Sequence, residues 1–167
     1  MELKKEQFVN LHGHSCFSLF DGFGFPQEHM DFAEGNGSKA LALTDHGSMN
    51  GLSYQLLHAK QMKAEGKDFK PIFGVEAYYI DSLDEWKELK EQIAQDKKRA
   101  KEIDTSDSAM VIEDEQRNDK RALSRKRHIV LLAQNQKGLE NIYEMISKSY
   151  SGDYFYRKPR IDWELLK

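Results

Sequence analysis

With 167 residues, 39% of them hydrophobic and 32% charged, the sequence has enough apolar side chains to close one modest core and too many to stay disordered. A formal net charge of -3 supplies no global basic field, so contact with a nucleic acid has to be local. One cysteine, Cys16, excludes an internal disulfide, the opening MELKKEQFVNLHGHS has no apolar signal region, and no apolar run approaches the ~20 residues that cross a bilayer; the expectation is a cytoplasmic protein with no membrane contact.

The first apolar segment, FVNL (8–11), reads as a strand and runs into LHGHS. Side chains two apart in an extended segment share a face, so His12 and His14 aim two imidazoles at one place. Asp21 follows in FSLFDG. Pro26 then opens a helix whose apolar positions are Met30, Phe32 and Ala33, stopped by Gly35-Asn36-Gly37. ALALT (40–44) is the second strand and ends on Asp45 and His46 in TDHG. A helix over 51–65 carries Leu52, Leu56, Ala59 and Met62 near helical spacing and ends at Gly66. PIFGVEAYYI (71–80) is the third strand, interrupted by Glu76.

Residues 81–126 are different in kind, with 13 Asp or Glu and 11 Lys or Arg in 46 positions. They read as an exposed charged helix, WKELKEQIAQDKKRAKEI, followed by a flexible polar loop through TSDSAMVIEDEQRNDKR. The cluster Lys120, Arg121, Arg125, Lys126 and Arg127 could touch a phosphate backbone, though acidic residues lie close by. HIVLLA (128–133) is the fourth strand, opened by His128, and a helix over 138–150 shows an apolar stripe of Leu139, Ile142, Tyr143, Ile146 and Tyr150. Near-continuous apolar strands alternating with helices predict an α/β fold with parallel strands covered on both faces.

The titratable residues gather at strand ends: His12 and His14, Asp45 and His46, Glu76, and His128, the last placed before its strand rather than after it. In α/β barrels and sheets the carboxyl ends of strands converge on one mouth. Imidazole nitrogen and carboxylate oxygen suit zinc or manganese, and a bridging carboxylate can hold two metals about 4 Å apart. Taken singly, each residue has a plainer explanation: a polar HxH pair, a strand Glu paired with a Lys, an Asp turning the chain before Gly22, a surface histidine beside Arg127. His29 and His58 fall in helices away from any strand end and read as non-ligands.

Read together, FVNLHGHSCFSLFDG, ALALTDHGSMNG, KPIFGVEAYY, RHIVLLAQNQKGLENIYEMISKSY and YRKPRIDWELLK resemble the amino-terminal PHP (polymerase and histidinol phosphatase) domain of bacterial replicative DNA polymerase III alpha subunits. The likeness covers residues 8–80 and 127–167 and leaves 81–126 as a charged helical and loop insertion within a 1–167 amino-terminal part of the domain. HxH and TDHG occur across the wider superfamily, whereas LLAQNQKGLENI and KPRIDWELL are particular to the polymerase branch. The resemblance implies a distorted (β/α)7 barrel carrying up to three divalent metals, zinc or manganese with magnesium a further option. By that resemblance His12, His14 and Glu76 hold the first metal and carry catalysis, Glu76 bridges to a second held by His128, and Asp21 and His46 serve the third. Asp45 supports the site by accepting a hydrogen bond from a ligand imidazole, and Cys16 is not a ligand.

The implied chemistry is metal-dependent phosphodiester hydrolysis at a DNA 3′ end, a 3′–5′ exonuclease activity within a DNA-directed DNA polymerase. The family's later motifs, a Cys or His and then an Asp and His two apart, have no counterpart before Lys167, and the palm aspartates of polymerisation are absent. The expectation is therefore an incomplete barrel of about four strands, encoded by a truncated or split gene in a bacterium or phage, whose partners are DNA and the remainder of the polymerase or a complementary chain. An open strand edge predicts poor solubility alone, and a short ligand set predicts weak metal binding. A stand-alone metal-dependent phosphoesterase and a non-catalytic module docking on a polymerase complex stay as alternatives.

Overall fold

A computed structural model describes residues 8–102 and 117–167. The first helix, α1 (Pro26–Gly35), starts with Pro at its first position, where a missing N–H costs nothing, and the Glu28 carboxylate accepts from the Phe25 N–H at 2.6 Å. Strand β1 (Ala40–Leu43) is buried throughout and leads through TDHG into α2 (Leu52–Ala64). Met30, Leu41, Leu43, Met62 and Phe69 close the first part of the core between these elements.

The long strand β2 (Lys70–Tyr79) is the axis of a five-stranded sheet. Its first half pairs in parallel with β1, from Ala40 opposite Lys70 to Leu43 opposite Phe73. Its second half pairs antiparallel with β3 (Arg127–Leu132), and its last two residues pair in parallel with β5 (Lys158–Ile161). Tyr78 and Tyr79 are shared by β3 and β5, so these lie on opposite edges of β2, and the His46–Glu76 bridge places β1 on the edge of β5. A two-residue strand, β4 (Phe155–Tyr156), forms a hairpin with β5. Among the described residues β3 has no second neighbour, and the sheet is open.

Alternation along β2 divides two environments. Val75, Ala77 and Tyr79 pack with Ile142 and Met145 of α5 (Gln136–Ser149) and with Ile161. Glu76, Tyr78 and Ile80 point to the other face. Helix α5 keeps Ile142 and Ile146 of the expected stripe on the core side, but Met145 and Ser149 complete its buried face while Tyr143 and Tyr150 are exposed; the Asn135 side chain caps it, accepting from the Gly138 N–H at 2.9 Å.

Three expectations change. The strand over 8–11 is no continuous ladder: only Asn10 bridges to Leu41, with the Asn10 and Gly13 carbonyls accepting from Ala42 and Thr44 at 2.9 and 2.8 Å. The strands are not all parallel, because β3 runs against β2. The charged segment is not simply exposed: α3 (Leu83–Glu102) buries Leu83 and Trp86 against Ile80 and against Leu123 of α4 (117–123), and the Trp86 Nε1–H donates to the Leu123 carbonyl at 2.9 Å. Most of the predicted polar loop, 103–116, lies outside the described residues.

The KPRIDWELL run ties this helix to the sheet. Arg160, 1% exposed, stacks its guanidinium 4.0 Å over the Trp86 ring and donates to the carbonyls of Tyr154 and Asp153 at 3.0 and 2.7 Å. Asp162 caps the last helix, α6 (Trp163–Leu166), and its other oxygen accepts from the Leu83 N–H at 3.2 Å. Substituting Trp86→Phe removes the indole donor and narrows the platform under Arg160, with an expected loss of about 1.5 kcal/mol in a urea titration. An unchanged midpoint would show that α3 does not depend on this packing.

Candidate metal centre

Glu76 is the hub. Its side chain is 4% exposed and sits on β2 where the strand passes the carboxyl end of β1. The two oxygens face different pairs of imidazoles. Oε2 accepts from Nε2 of His12 and, at 2.7 Å, from Nε2 of His14. Oε1 accepts from Nδ1 of His128 and lies 3.7 Å from Nδ1 of His46. Burial pushes the Glu76 carboxyl up, but the facing imidazoles of His12, His14, His46 and His128 outweigh it and hold the group down at about 2.

Asp21 closes the other side. Its Oδ2 lies 2.5 Å from His46 Nε2 and 3.2 Å from His14 Nδ1, and the His46 contact lowers its pKa. The imidazoles are in mutual contact, with centroids 4.2 Å apart for His14 and His46 and 5.0 Å for His46 and His128. Three overlapping groups of atoms that could hold a metal ion result: His12, His14 and Glu76; His14, Asp21 and His46; and His46, Glu76 and His128. His14, His46 and Glu76 each belong to two of them.

The donor set fits a divalent cation on an observation internal to the site. His46 Nδ1 is buried with no hydrogen-bond partner although it faces Glu76 Oε1 across 3.7 Å. An unpaired buried acceptor opposite a buried carboxylate is costly unless a cation lies between them. Nitrogen and oxygen donors in this mixture suit zinc or manganese better than calcium.

The position of His128 follows from strand direction. In a parallel sheet a residue at the start of a strand lies far from the carboxyl-end mouth. Because β3 is antiparallel, its beginning lies beside the end of β2: His128 registers with Tyr78, diagonal to Glu76. His29 and His58 lie outside these groups, the first donating to the Phe23 carbonyl at 2.5 Å and the second to Asp31 at 2.7 Å.

Asp45 does not act as expected. Its carboxylate accepts from the Ser15 N–H at 2.7 Å and from the Ser15 and Ser18 hydroxyls, each at 2.8 Å, and from no imidazole. The Ser18 hydroxyl in turn accepts from the His46 N–H at 3.0 Å. Asp45 thus fixes the loop between His14 and Asp21 against the strand end that carries His46. The reason is position: side chains of adjacent residues diverge, so His46 faces the site while Asp45 faces the loop. The reading of the sequence missed Ser15 and Ser18, which carry no motif signal. It also missed Tyr78, whose two-residue spacing from Glu76 was the available clue.

Two glycines hold these loops. A Cβ on Gly22 would lie 1.7 Å from the Ser15 carbonyl oxygen, and a Cβ on Gly47, at φ +63°, would lie 2.8 Å from the Pro159 side chain. Substituting Gly22→Ala displaces the loop that presents Asp21. The expected result is about tenfold weaker Mn2+ uptake in a calorimetric titration with the far-ultraviolet spectrum retained.

The family described as PHP domain matches residues 10–167. Among curated proteins the chain is 33% identical over 162 residues to the DNA polymerase III subunit alpha of Aquifex aeolicus, which spans 97% of this chain and 11% of that protein. The subunit of the same name from Deinococcus radiodurans is 30% identical over 167 residues, covering 97% of this chain and 10% of that protein. That of Treponema pallidum is 33% identical over 165 residues, 98% of this chain and 11% of that protein. The chain spans about a tenth of the length of these relatives.

Proposed function

Since the chain belongs to the PHP domain family, its match extending over residues 10–167, we propose that it is the amino-terminal PHP portion of a replicative DNA polymerase III alpha subunit with a metal-dependent phosphodiesterase site. The carrying observation is Glu76, a buried carboxylate whose two oxygens are divided between two pairs of imidazoles. Residues 81–126 are then an insertion whose described helices brace the sheet from one side.

In this proposal His12, His14 and Glu76 would hold one cation, Glu76 with His46 and His128 a second, and Asp21 with His14 and His46 a third. Cations bound there would supply a water nucleophile at neutral pH and neutralise charge developing on a phosphate. The chain's own contribution is orientation. Glu76 is held ionised and fixes the rings of His12, His14 and His128, Asp21 orients His46 through Nε2, and the Asp45–Ser15–Ser18 network keeps both loops in register. The substrate class is a phosphodiester at the 3′ end of a DNA strand.

The exposed side chains Leu19, Phe20, Phe23, Phe32 and Leu57, with Phe20 fully exposed, favour contact with further polypeptide. The remainder of a polymerase alpha subunit is the proposed partner, and a module that only docks is the second reading this observation favours. No described helix is long and apolar enough to cross a membrane.

Mn2+ decides between these readings. For the metal-site proposal, Mn2+ at 100 times its Kd raises the Tm of the chain by about 8 °C, the equivalent of about 2.7 kcal/mol, and EDTA reverses the shift. Hydrolysis of a 3′-labelled single strand then requires Mn2+ or Zn2+. A Tm indifferent to Mn2+, Zn2+ and EDTA rejects the metal site and leaves the docking module.

A further inference from the structure

We propose, resting on the reading of the centre above, that Lys126 and Lys158 are phosphate-contacting residues that make the ligand of this site a polynucleotide strand rather than a small phosphate ester. The observation is an arrangement around Tyr78. This ring is buried, lies parallel to His46 at 5.6 Å with 9° between planes, and meets His128 edge-on at 5.1 Å. The Lys126 ammonium sits 5.2 Å from the same ring's centroid and that of Lys158 sits 5.6 Å from it. One aromatic side chain therefore joins two cationic groups to two imidazoles of the centre.

The sheet explains the convergence. Tyr78 registers with His128 of β3 on one edge and with Arg160 of β5 on the other. Lys126 lies two residues before His128 and Lys158 two before Arg160, so strands from distant parts of the sequence bring a lysine to each flank of the ring. A cation–π contact at an exposed site is a weak tether, enough to bias where the ammonium rests and too weak to occupy it. Neither lysine has a carboxylate within 4.0 Å among the described residues, whereas Lys87, Lys97, Lys148 and Lys167 each have one.

Charge makes the choice of ligand. Cations in the centre already answer the charge of a single bound phosphate. Two further ammonium groups at its flank, repelling one another across one ring, are satisfied by negative charge that extends beyond that phosphate. The next phosphates of a nucleic acid strand carry such charge, and a small monoester does not.

The experiment uses the full chain, a fluorescein-labelled oligothymidylate of about 12 nucleotides, a length within the site sizes of single-strand binders, and inorganic phosphate as the small-ligand competitor. Anisotropy titrations are run across a range of salt concentrations, once with Mn2+ and once in EDTA, on wild type, K126Q/K158Q and K126R/K158R. The double glutamine variant is expected to lose about tenfold in oligonucleotide affinity and about 1.4 in the slope of log K against log salt, the value for two phosphate contacts to a single strand. The arginine pair restores both quantities, Mn2+ affinity by calorimetry is the same in all three chains, and inorganic phosphate competes poorly. Equal oligonucleotide affinity and slope in wild type and K126Q/K158Q overturn the proposal, as does a wild-type chain that binds no oligonucleotide. Failure of the wild type to bind Mn2+ rejects the metal centre, and the EDTA series then decides the lysine assignment separately.

Discussion

The substitution Glu76→Gln is expected to weaken Mn2+ binding by at least about 100-fold while leaving the chain folded, because every cation position in the proposed centre uses this carboxylate or a ring it orients. Glu76 offers Oε2 to His12 and His14 and Oε1 to His46 and His128. A glutamine keeps the size and one acceptor but turns the second oxygen into an NH2 donor, which can neither ligate a cation nor accept from an imidazole. Whichever way the amide settles, one pair of rings faces a donor. Calorimetric titration of Mn2+ and Zn2+ into both chains measures the effect, and circular dichroism controls for folding. A variant that binds either metal as tightly as wild type would remove Glu76 from its place as hub.

Asp45→Ala is expected to destabilise the chain by about 3 kcal/mol, a fall of about 10 °C in Tm, and to weaken Mn2+ binding as a consequence. The carboxylate is 4% exposed and accepts three hydrogen bonds from Ser15 and Ser18, themselves 0% and 1% exposed. Truncation leaves buried donors without an acceptor, the costly direction of change. Asp45→Asn retains one acceptor oxygen and should lose about half as much. Substituting Ser18→Ala in the Asp45→Ala background tests the network, since the combined loss is less than the sum of the separate losses when both residues serve the same bonds. Full additivity would show that Asp45 and Ser18 act independently.

Much of this architecture was legible in the residues. The α5 stripe of Ile142 and Ile146, the Pro26 helix start and the apolar β1 follow from local rules, and the structure shows them. Residues of α3 misled because charge dominates its composition: Trp86 and Leu83 are few among many lysines and glutamates, and only their contacts with Ile80, Leu123 and Arg160 reveal a buried face. The first strand misled in the opposite sense. An apolar run was present at 8–11, yet a strand exists only where a neighbour pairs with its backbone, and among the described residues β1 pairs with this run at Asn10 alone.

The sequence by itself determined the ingredients of the centre. An HxH spacing places His12 and His14 on one side, TDHG ends a buried strand, and a carboxylate in a run as apolar as FGVEAYY has to be met by something charged. Local patterns carry that information because burial and alternation act over a few residues. Only the tertiary structure decided which oxygen of Glu76 faces which ring, how an antiparallel β3 brings His128 beside Glu76, and that Asp45 faces Ser15 and Ser18 rather than an imidazole. Each of these depends on the direction and edge of strand pairing. Such pairing is settled by contacts between residues separated by tens of positions, as Glu76 is from His12 and His128, and no local pattern encodes it.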